Sequence, residues 1–399
     1  MIDLRAARAE PEAYRAALAR KGAAGAFDAL LAADERWRTL VPQVDELRSR
    51  TKLKGKPTAE QQEALKRVKV ELKAAEEALA AAESERDGLA LLVPNPPHDS
   101  VPEGSTEDDV LEVRRGGEPA ELPEPREHTE IGRFDMERAA RVSGARFGYW
   151  IGDAALVALA LYRFALDRLV GKGFVPVLPP VLVREETLVG TGWLPSDDPN
   201  VYRVADEDLY LAGTAEIPLG ALHLGELLEA DDLPLRYVGF SPCFRSEAGA
   251  AGRDTRGMFR VHQFNKVEQF VFTRPEDSWE EHERLLANTE ALVAELDLPY
   301  RVVVLPSGDM SKASAKTYDV EVWFPSQERY RETASISNTT DFQARRLRTR
   351  FRGDHGPEPA HTLNGTAVVD RMALALLEVF QGAVPDVLQH YGAPAEVRA

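Results

Sequence analysis

Cysteine is almost absent: Cys243 is the only one among 399 residues. No intrachain disulfide can form, and a thiolate-rich zinc site is excluded, so no zinc is expected. The eight histidines are scattered, without an HxxxH spacing, and no CxxC occurs. No apolar run is long enough to span a bilayer. The segment MIDLRAARAEPEAYR has acidic residues among its charges and no apolar core. Neither a signal peptide nor a transit peptide is therefore expected, and a cytoplasmic location follows as an expectation. Positive charge is in deficit, with a net charge of −17, which argues against indiscriminate nucleic-acid binding.

The deficit is uneven. Between Arg48 and Lys73 lie nine basic and three acidic residues. The basic ones are Arg48, Arg50, Lys52, Lys54, Lys56, Lys66, Arg67, Lys69 and Lys73. A local basic patch in an acidic chain points to one specific polyanion, although such a run by itself is more often a solvated helical face. The surrounding sequence sets the patch in a helical hairpin. Leu65, Val68, Leu72, Ala75, Leu79, Ala82 and Leu89 follow steps of three and four, with Arg86 at the one missing seam position. Trp37, Leu40, Val44, Leu47 and Thr51 have the same spacing, and both series read as coiled-coil heptads. KLKGKPT at 52–58 is the turn between them, with Thr58 a helix cap. Helices of about 26–35 residues give an arm roughly 40–50 Å long, with the basic residues at its tip. Pro42 should kink the first helix.

Residues 94–130 are rich in Pro, Gly and acid and read as a linker with little regular structure. Beyond about 137 the pattern is mixed. Residues 154–172 read as an amphipathic helix. FVPVLPPVLV at 174–183 reads as a strand broken by Pro179 and Pro180, which belongs at an edge or interface. Strand-like runs recur near 209–213, 235–240, 259–273, 301–305, 318–324 and 329–337, with a helix at 278–295. Their close spacing argues for an antiparallel sheet. The last helix, Arg371 to Phe380, follows Asp370 as a cap.

FRSEAGAAGRDTRGMFRVHQFNKVE at 244–268 concentrates Arg245, Arg253, Arg256 and Arg260 between two strand-like ends. Pairing those ends would set Arg245 and Glu247 across from Phe264. A guanidinium for phosphate, a carboxylate for an exocyclic amine and an aromatic face for a base make a nucleotide site without a P-loop. No catalytic triad or general base is evident.

This segment resembles motif 2 of the class II aminoacyl-tRNA synthetases, and within them the seryl-tRNA synthetase family of bacterial type. GTAEIPL at 213–219 resembles that family's serine-contacting loop. RETASISNTTDFQARR at 331–346 resembles its metal and serine strand, HTLNGTAVVDRMALALLEVFQ at 361–381 its motif 3, and 154–183 its dimer-building motif 1. The resemblance covers essentially the whole chain. It implies an α+β fold in which an antiparallel coiled-coil hairpin precedes a catalytic domain built on an antiparallel sheet flanked by helices. The implied domains are a tRNA-binding arm at 1–98 (long hairpin about 26–92), a linker at 99–136 and a catalytic domain at 137–399.

The same resemblance implies ATP-dependent activation of L-serine to seryl-adenylate. Transfer to the 3′ end of tRNA(Ser), and of tRNA(Sec), would follow. Arg245, Glu268 and Arg371 become the catalytic residues. ATP falls to Arg245, Ser246, Glu247, Arg260, Val261, Phe264, Glu332, Thr333, Ala334, Ser335 and Arg371, with adenine between Phe264 and Arg371. Serine falls to Thr214, Ala215, Glu216, Arg245, Glu268, Asn364 and Thr366, and Mg²⁺ to Glu332 and Ser335. The nine basic residues at the tip become the tRNA contact, and a homodimer is implied. His262 reads as either structural or ATP-proximal. Two alternatives keep the chemistry: an antibiotic-resistant duplicate, and a ligase charging a carrier protein. A third is a catalytically dead paralogue serving as a binding module.

Overall fold

The computed structural model describes residues 1–52, 58–196, 200–247 and 257–398. The chain forms two compact units, 1–96 and 97–399.

In the first unit the hairpin consists of α1 (Ala24–Arg50) and α2 (Ala59–Leu92). The heptad seam becomes its interface, with Val44, Val68 and Ala82 buried. Arg36 bonds Glu85 at 2.6 Å and Arg48 bonds Glu76 at 3.0 Å, so the helices run antiparallel. At the seam position without an aliphatic residue, the Arg86 guanidinium lies 4.1 Å from the centre of the Trp37 ring. Thr58 does cap α2. Its Oγ1 accepts from the Gln61 amide at 3.2 Å, and its own amide donates to Gln61 Oε1 at 2.9 Å. This reciprocal pair satisfies two backbone donors that the first turn leaves unbonded. The helix α1 runs through Pro42 without a break. The turn residues Lys54 and Lys56 lie outside the described residues, as do Arg253 and Arg256.

The second unit is built on an eight-stranded sheet. In chain order its strands are β1 (Leu111–Gly116), β2 (Val175–Val177), β3 (Leu235–Phe244), β4 (Gln263–Thr273), β5 (Tyr300–Val304), β6 (Lys316–Phe324), β7 (Arg329–Asn338) and β8 (His361–Val369). Across the sheet they lie in the order β1-β5-β6-β7-β8-β4-β3-β2. Every pairing is antiparallel except β2 with β3 at one edge. Helices α3 (Asp153–Gly171), α4 (Ser278–Glu295) and α5 (Asp370–Val379) pack on the sheet. Val157, Leu161, Phe164 and Leu169 of α3 enter the main core with Leu285 and Leu292 of α4 and Leu374 and Leu377 of α5.

Four expectations need correction. The stretch read as a linker contains β1, which pairs with β5, and a short helix at His128–Ile131. LEVRRG alternates only from Leu111 to Arg114, and Leu111 and Val113 stay exposed on this charged edge strand. FVPVLPPVLV is two strands in two sheets, since β2 joins the large sheet and Leu182–Val183 pairs with Tyr210–Leu211. The cap of α5 is Val369; Asp370 is the first helical residue, and its carboxylate accepts from the Tyr162 hydroxyl. A further short helix, Asp386–Gln389, follows α5.

Candidate active site

Strands β4, β6, β7 and β8 all contribute side chains to a cavity of about 390 Å³, within the range of small-molecule sites. Side chains alternate along a strand, so Phe264, Lys266 and Glu268 of β4 all line this cavity. Register sets their neighbours. Phe264 pairs with Cys243, Gln263 with Phe244, and Glu268 with Thr366 of β8. Arg245 therefore lies opposite His262, with its amide on the His262 carbonyl at 2.9 Å, and not opposite Phe264 as expected. Its side chain nevertheless reaches Phe264, with the guanidinium 5.2 Å from that ring centre and 5.8 Å from Trp193. Arg245 Nε donates to the Gly213 carbonyl at 3.2 Å, which ties it to the GTAEIPL loop.

One side of the cavity is cationic. Arg260 bonds Glu247 at 2.6 Å. Glu247 sits at φ 49° and is held by its amide donating to Asn200 Oδ1 at 2.7 Å. The Arg371 guanidinium lies 4.5 Å from the centre of the Phe259 ring and donates to the Glu332 carbonyl at 2.5 Å. Burial opposes a charge on Glu332, but Arg371 and Arg245 outweigh it and hold the carboxyl below its ordinary range. Beside it, burial and the Glu332 charge push Asp319 well above the usual range. The Ser335 hydroxyl joins the two carboxylates, at 2.6 Å to Asp319 and 3.3 Å to Glu332.

The other side is rich in carboxylate. Glu268 is buried and paired with the buried Lys266. Burial raises the Glu268 carboxyl, with Lys266 opposing. Glu216 accepts from Gln343 Nε2 at 2.8 Å and from Asn364 Nδ2 at 3.1 Å. Burial, then the nearby Glu268 charge, pushes Glu216 up to about 7. The Glu216 amide donates to Thr214 Oγ1 at 3.2 Å. Thr366 and Asn364 complete this wall.

Of the residues assigned to ATP and serine, Thr214, Glu216, Arg245, Glu247, Arg260, Val261, Phe264, Glu268, Glu332, Thr333, Ser335, Asn364, Thr366 and Arg371 come together around the cavity. Ala215 and Ala334 do not line it, because their side chains are buried in packed apolar clusters. The Ser246 hydroxyl donates to Asn200 Oδ1 at 3.3 Å. Sequence reasoning missed Lys266, although the period-two pattern through Phe264 and Glu268 marks its face. Trp193, Asn200 and Asp319 carried no sequence signal, since distant strands and loops bring them in. His262 is not among the lining residues. Its Nδ1 donates to the Arg245 carbonyl at 2.9 Å and its ring packs by Phe147 and Tyr202, which is the structural alternative.

Residues 1–97 match the family model described as seryl-tRNA synthetase N-terminal domain, and 201–380 match the tRNA synthetase class II core domain (G, H, P, S and T). The serine–tRNA ligase of Streptomyces coelicolor is 44% identical over 419 residues, covering 100% of this chain and 99% of that protein. That of Mycolicibacterium vanbaalenii is 44% identical over 395 residues, covering 96% of this chain and 94% of that protein. Among solved structures, seryl-tRNA synthetase from Pyrococcus horikoshii complexed with ATP superimposes with a TM-score of 0.93 at 40% identity, covering 100% of this chain and 99% of that one. The cytoplasmic serine–tRNA ligase of Naegleria fowleri in complex with AMP gives a TM-score of 0.88 at 34% identity, covering 98% and 96%.

Proposed function

The chain belongs to the seryl-tRNA synthetase family, and on that premise we propose how its residues divide the family's reaction. The enzyme activates serine with ATP and charges tRNA. The observation that carries the division is one cavity with arginines on one side and buried carboxylates on the other.

In the first step a serine carboxylate oxygen attacks the α-phosphorus of ATP. The bond to the bridging oxygen breaks, and pyrophosphate leaves. Arg245 bridges the serine carboxylate and the α-phosphate and neutralises charge that builds between them. Phe264 stacks under adenine and Arg371 lies above it. Glu247 accepts from the adenine amine and Arg260 faces the outer phosphates. The 2.6 Å bond between these two supports a poised pair that exchanges partners when the nucleotide arrives. ATP and AMP in the two related structures support the nucleotide assignment. Glu216 takes the serine ammonium. Glu268 and Thr366, directly opposite in register, take the hydroxyl. A site built for a hydroxyl rejects analogues that lack it far better than an apolar pocket does. In the second step a ribose hydroxyl at the tRNA 3′ end attacks the adenylate carbonyl, and AMP leaves.

Glu332 and Ser335, whose oxygens lie 3.3 Å apart, would hold Mg²⁺, a hard cation that takes oxygen ligands and is usually shared with substrate phosphates. Bound there, it would neutralise phosphate charge. The basic hairpin takes tRNA(Ser), and charging of tRNA(Sec) belongs to the same reading. A homodimer is supported by exposed apolar residues on α3 and the following strands. Leu159 is 59% exposed and Leu178 83%, a surface that association would cover. Light scattering at micromolar protein is expected to give twice the 44.1 kDa chain mass, and a mass of one chain would overturn the dimer. Among the described residues no helix is long and apolar enough to cross a membrane, which fits a cytoplasmic enzyme. The deciding experiment is ATP–pyrophosphate exchange with serine, threonine, alanine and glycine. Serine alone should support rapid exchange, and exchange clear with another amino acid but absent with serine would overturn the specificity.

A further inference from the structure

Glu378 lies in α5, seven residues and about two turns beyond Arg371, and is fully buried. Its Oε1 accepts from the His128 amide at 3.2 Å and meets His128 Nδ1 at 2.7 Å. Its Oε2 accepts from the Ser326 hydroxyl at 2.6 Å and the Ser326 amide at 3.4 Å. The other ring nitrogen, His128 Nε2, meets the backbone N–H of Met258 at 3.2 Å. A backbone N–H only donates, so Nε2 carries no proton. The proton is on Nδ1 and is given to Glu378. The tautomer is thus set by the partners, and the ring is buried at 4% exposure.

This contact sits at the nucleotide wall. Gly257, at φ +65°, packs so closely that an added Cβ would stand 2.7 Å from His128 Nε2. Met258, Phe259 and Arg260 line the cavity. The Phe259 ring supports Arg371 at 4.5 Å and Arg331 at 3.9 Å, and meets Phe324 at 5.2 Å. Phe324 precedes the turn that holds Ser326. One buried carboxylate therefore joins the helix that carries Arg371, the turn beneath Phe259 and, through His128, the backbone of the segment that presents Phe259 and Arg260.

We propose that His128, held by Glu378, is a positioning residue for nucleotide binding: it anchors the Met258 amide so that Phe259, Arg260 and Arg371 are arranged before ATP arrives. The proposal rests on the assignment of this wall to ATP. It predicts a selective effect, because the serine side hangs on other elements: Glu268 and Asn364 on the paired strands β4 and β8, and Thr214 and Glu216 on a turn and the short helix Glu216–Gly220.

Two variants test it in pyrophosphate exchange. His128→Leu fills the space without an acceptor. His128→Gln carries an acceptor and a donor on either side of one carbon, as the neutral imidazole does. In His128→Leu the KM for ATP should rise about tenfold, the scale of one lost buried hydrogen bond, with the KM for serine within about twofold. In His128→Gln the KM for ATP should return to within about threefold of wild type. A merely structural histidine would change both KM values together, or neither, and Gln would behave like Leu; each of these results overturns the proposal. Should His128→Leu fail to fold, amide hydrogen exchange in the wild-type enzyme decides. Slow exchange at Met258 is required, and fast exchange overturns the anchor. Wild-type enzyme that gives no ATP- and serine-dependent exchange would sink the assignment of the wall, whereas normal wild-type kinetics with unshifted variants sink only the anchor.

Discussion

In the helical unit Lys66 and Lys73 keep 75% and 80% of their side-chain surface, whereas in the sheet unit Lys266 keeps 9% and its partner Glu268 1%. The exposed lysines make loose pairs, Lys66 with Glu63 at 3.4 Å and Lys73 with Glu77 at 3.9 Å. Such pairs contribute about 0.2–1 kcal/mol each and weaken with salt. Their charges can therefore be passed to a phosphate backbone at little cost to the fold. A buried pair such as Lys266 with Glu268 cannot be rearranged so freely, and removing one partner costs about 3–5 kcal/mol. Charge on the arm is suited to a large, variable polyanion. Charge in the cavity is preorganised for one small ligand.

Removing the central cation of the cavity should show this contrast most strongly. Arg245→Ala is expected to lower the exchange rate by roughly 10³, with a far-ultraviolet spectrum like wild type. Arg245→Lys should recover only part, because an ammonium cannot bridge two oxyanions as the planar fork does. A loss of under tenfold in Arg245→Ala would place the reacting groups elsewhere. Glu268→Gln is next. Catalytic efficiency for serine should fall about 10²-fold, as expected for loss of a charged hydrogen-bond acceptor, while the KM for ATP changes little. Equal losses for serine and ATP would show that the Lys266 pair holds the whole cavity and does not select the hydroxyl.

The exposed side of the comparison predicts a different pattern. Reversing Lys66, Arg67 and Lys69 to Glu should leave pyrophosphate exchange near wild type and raise the KM for tRNA by a few tens-fold. The salt dependence of tRNA binding should also become shallower, since fewer counterions are released. Normal charging with an unchanged salt slope would mean that this face of the hairpin is merely solvated. The smallest effect concerns pH. Burial, then the nearby Glu268 charge, pushes the Glu216 carboxyl up to about 7, and the serine ammonium needs it ionised. As pH falls below that value the ionised fraction drops, so the KM for serine should rise by up to about tenfold per unit. Above it the KM should level off. Glu216→Gln should bind serine more weakly and remove this acid limb, and a wild-type KM independent of pH from 6 to 8 would refute the role.

Much of this was legible from residue order alone. The heptad steps located both long helices, Thr58 marked the start of one of them, and the helix at 278–295 agrees with Ser278–Glu295. Those features depend on neighbours a few residues apart, where periodicity and capping act. The motifs around Arg245, Glu216, Glu332 and Asn364 also named most of the cavity wall. Local pattern could not say which strand lies beside which, so it set Arg245 opposite Phe264 where register sets it opposite His262. Nor could it show that β1, whose burial pattern is almost wholly exposed, completes the sheet edge.

Sequence by itself determined the chemical inventory: one thiol, clustered arginines, two carboxylates suited to serine, and a basic helical hairpin. Tertiary structure decided what each group is paired with. His128 and Glu378 are 250 positions apart, and Arg245 meets the Gly213 carbonyl 32 positions away. Folding brings such groups within bonding distance, and burial then raises the cost of leaving any of them unpaired. That is why the same residue types act as exchangeable surface charge on the arm and as fixed, mutually dependent groups in the cavity.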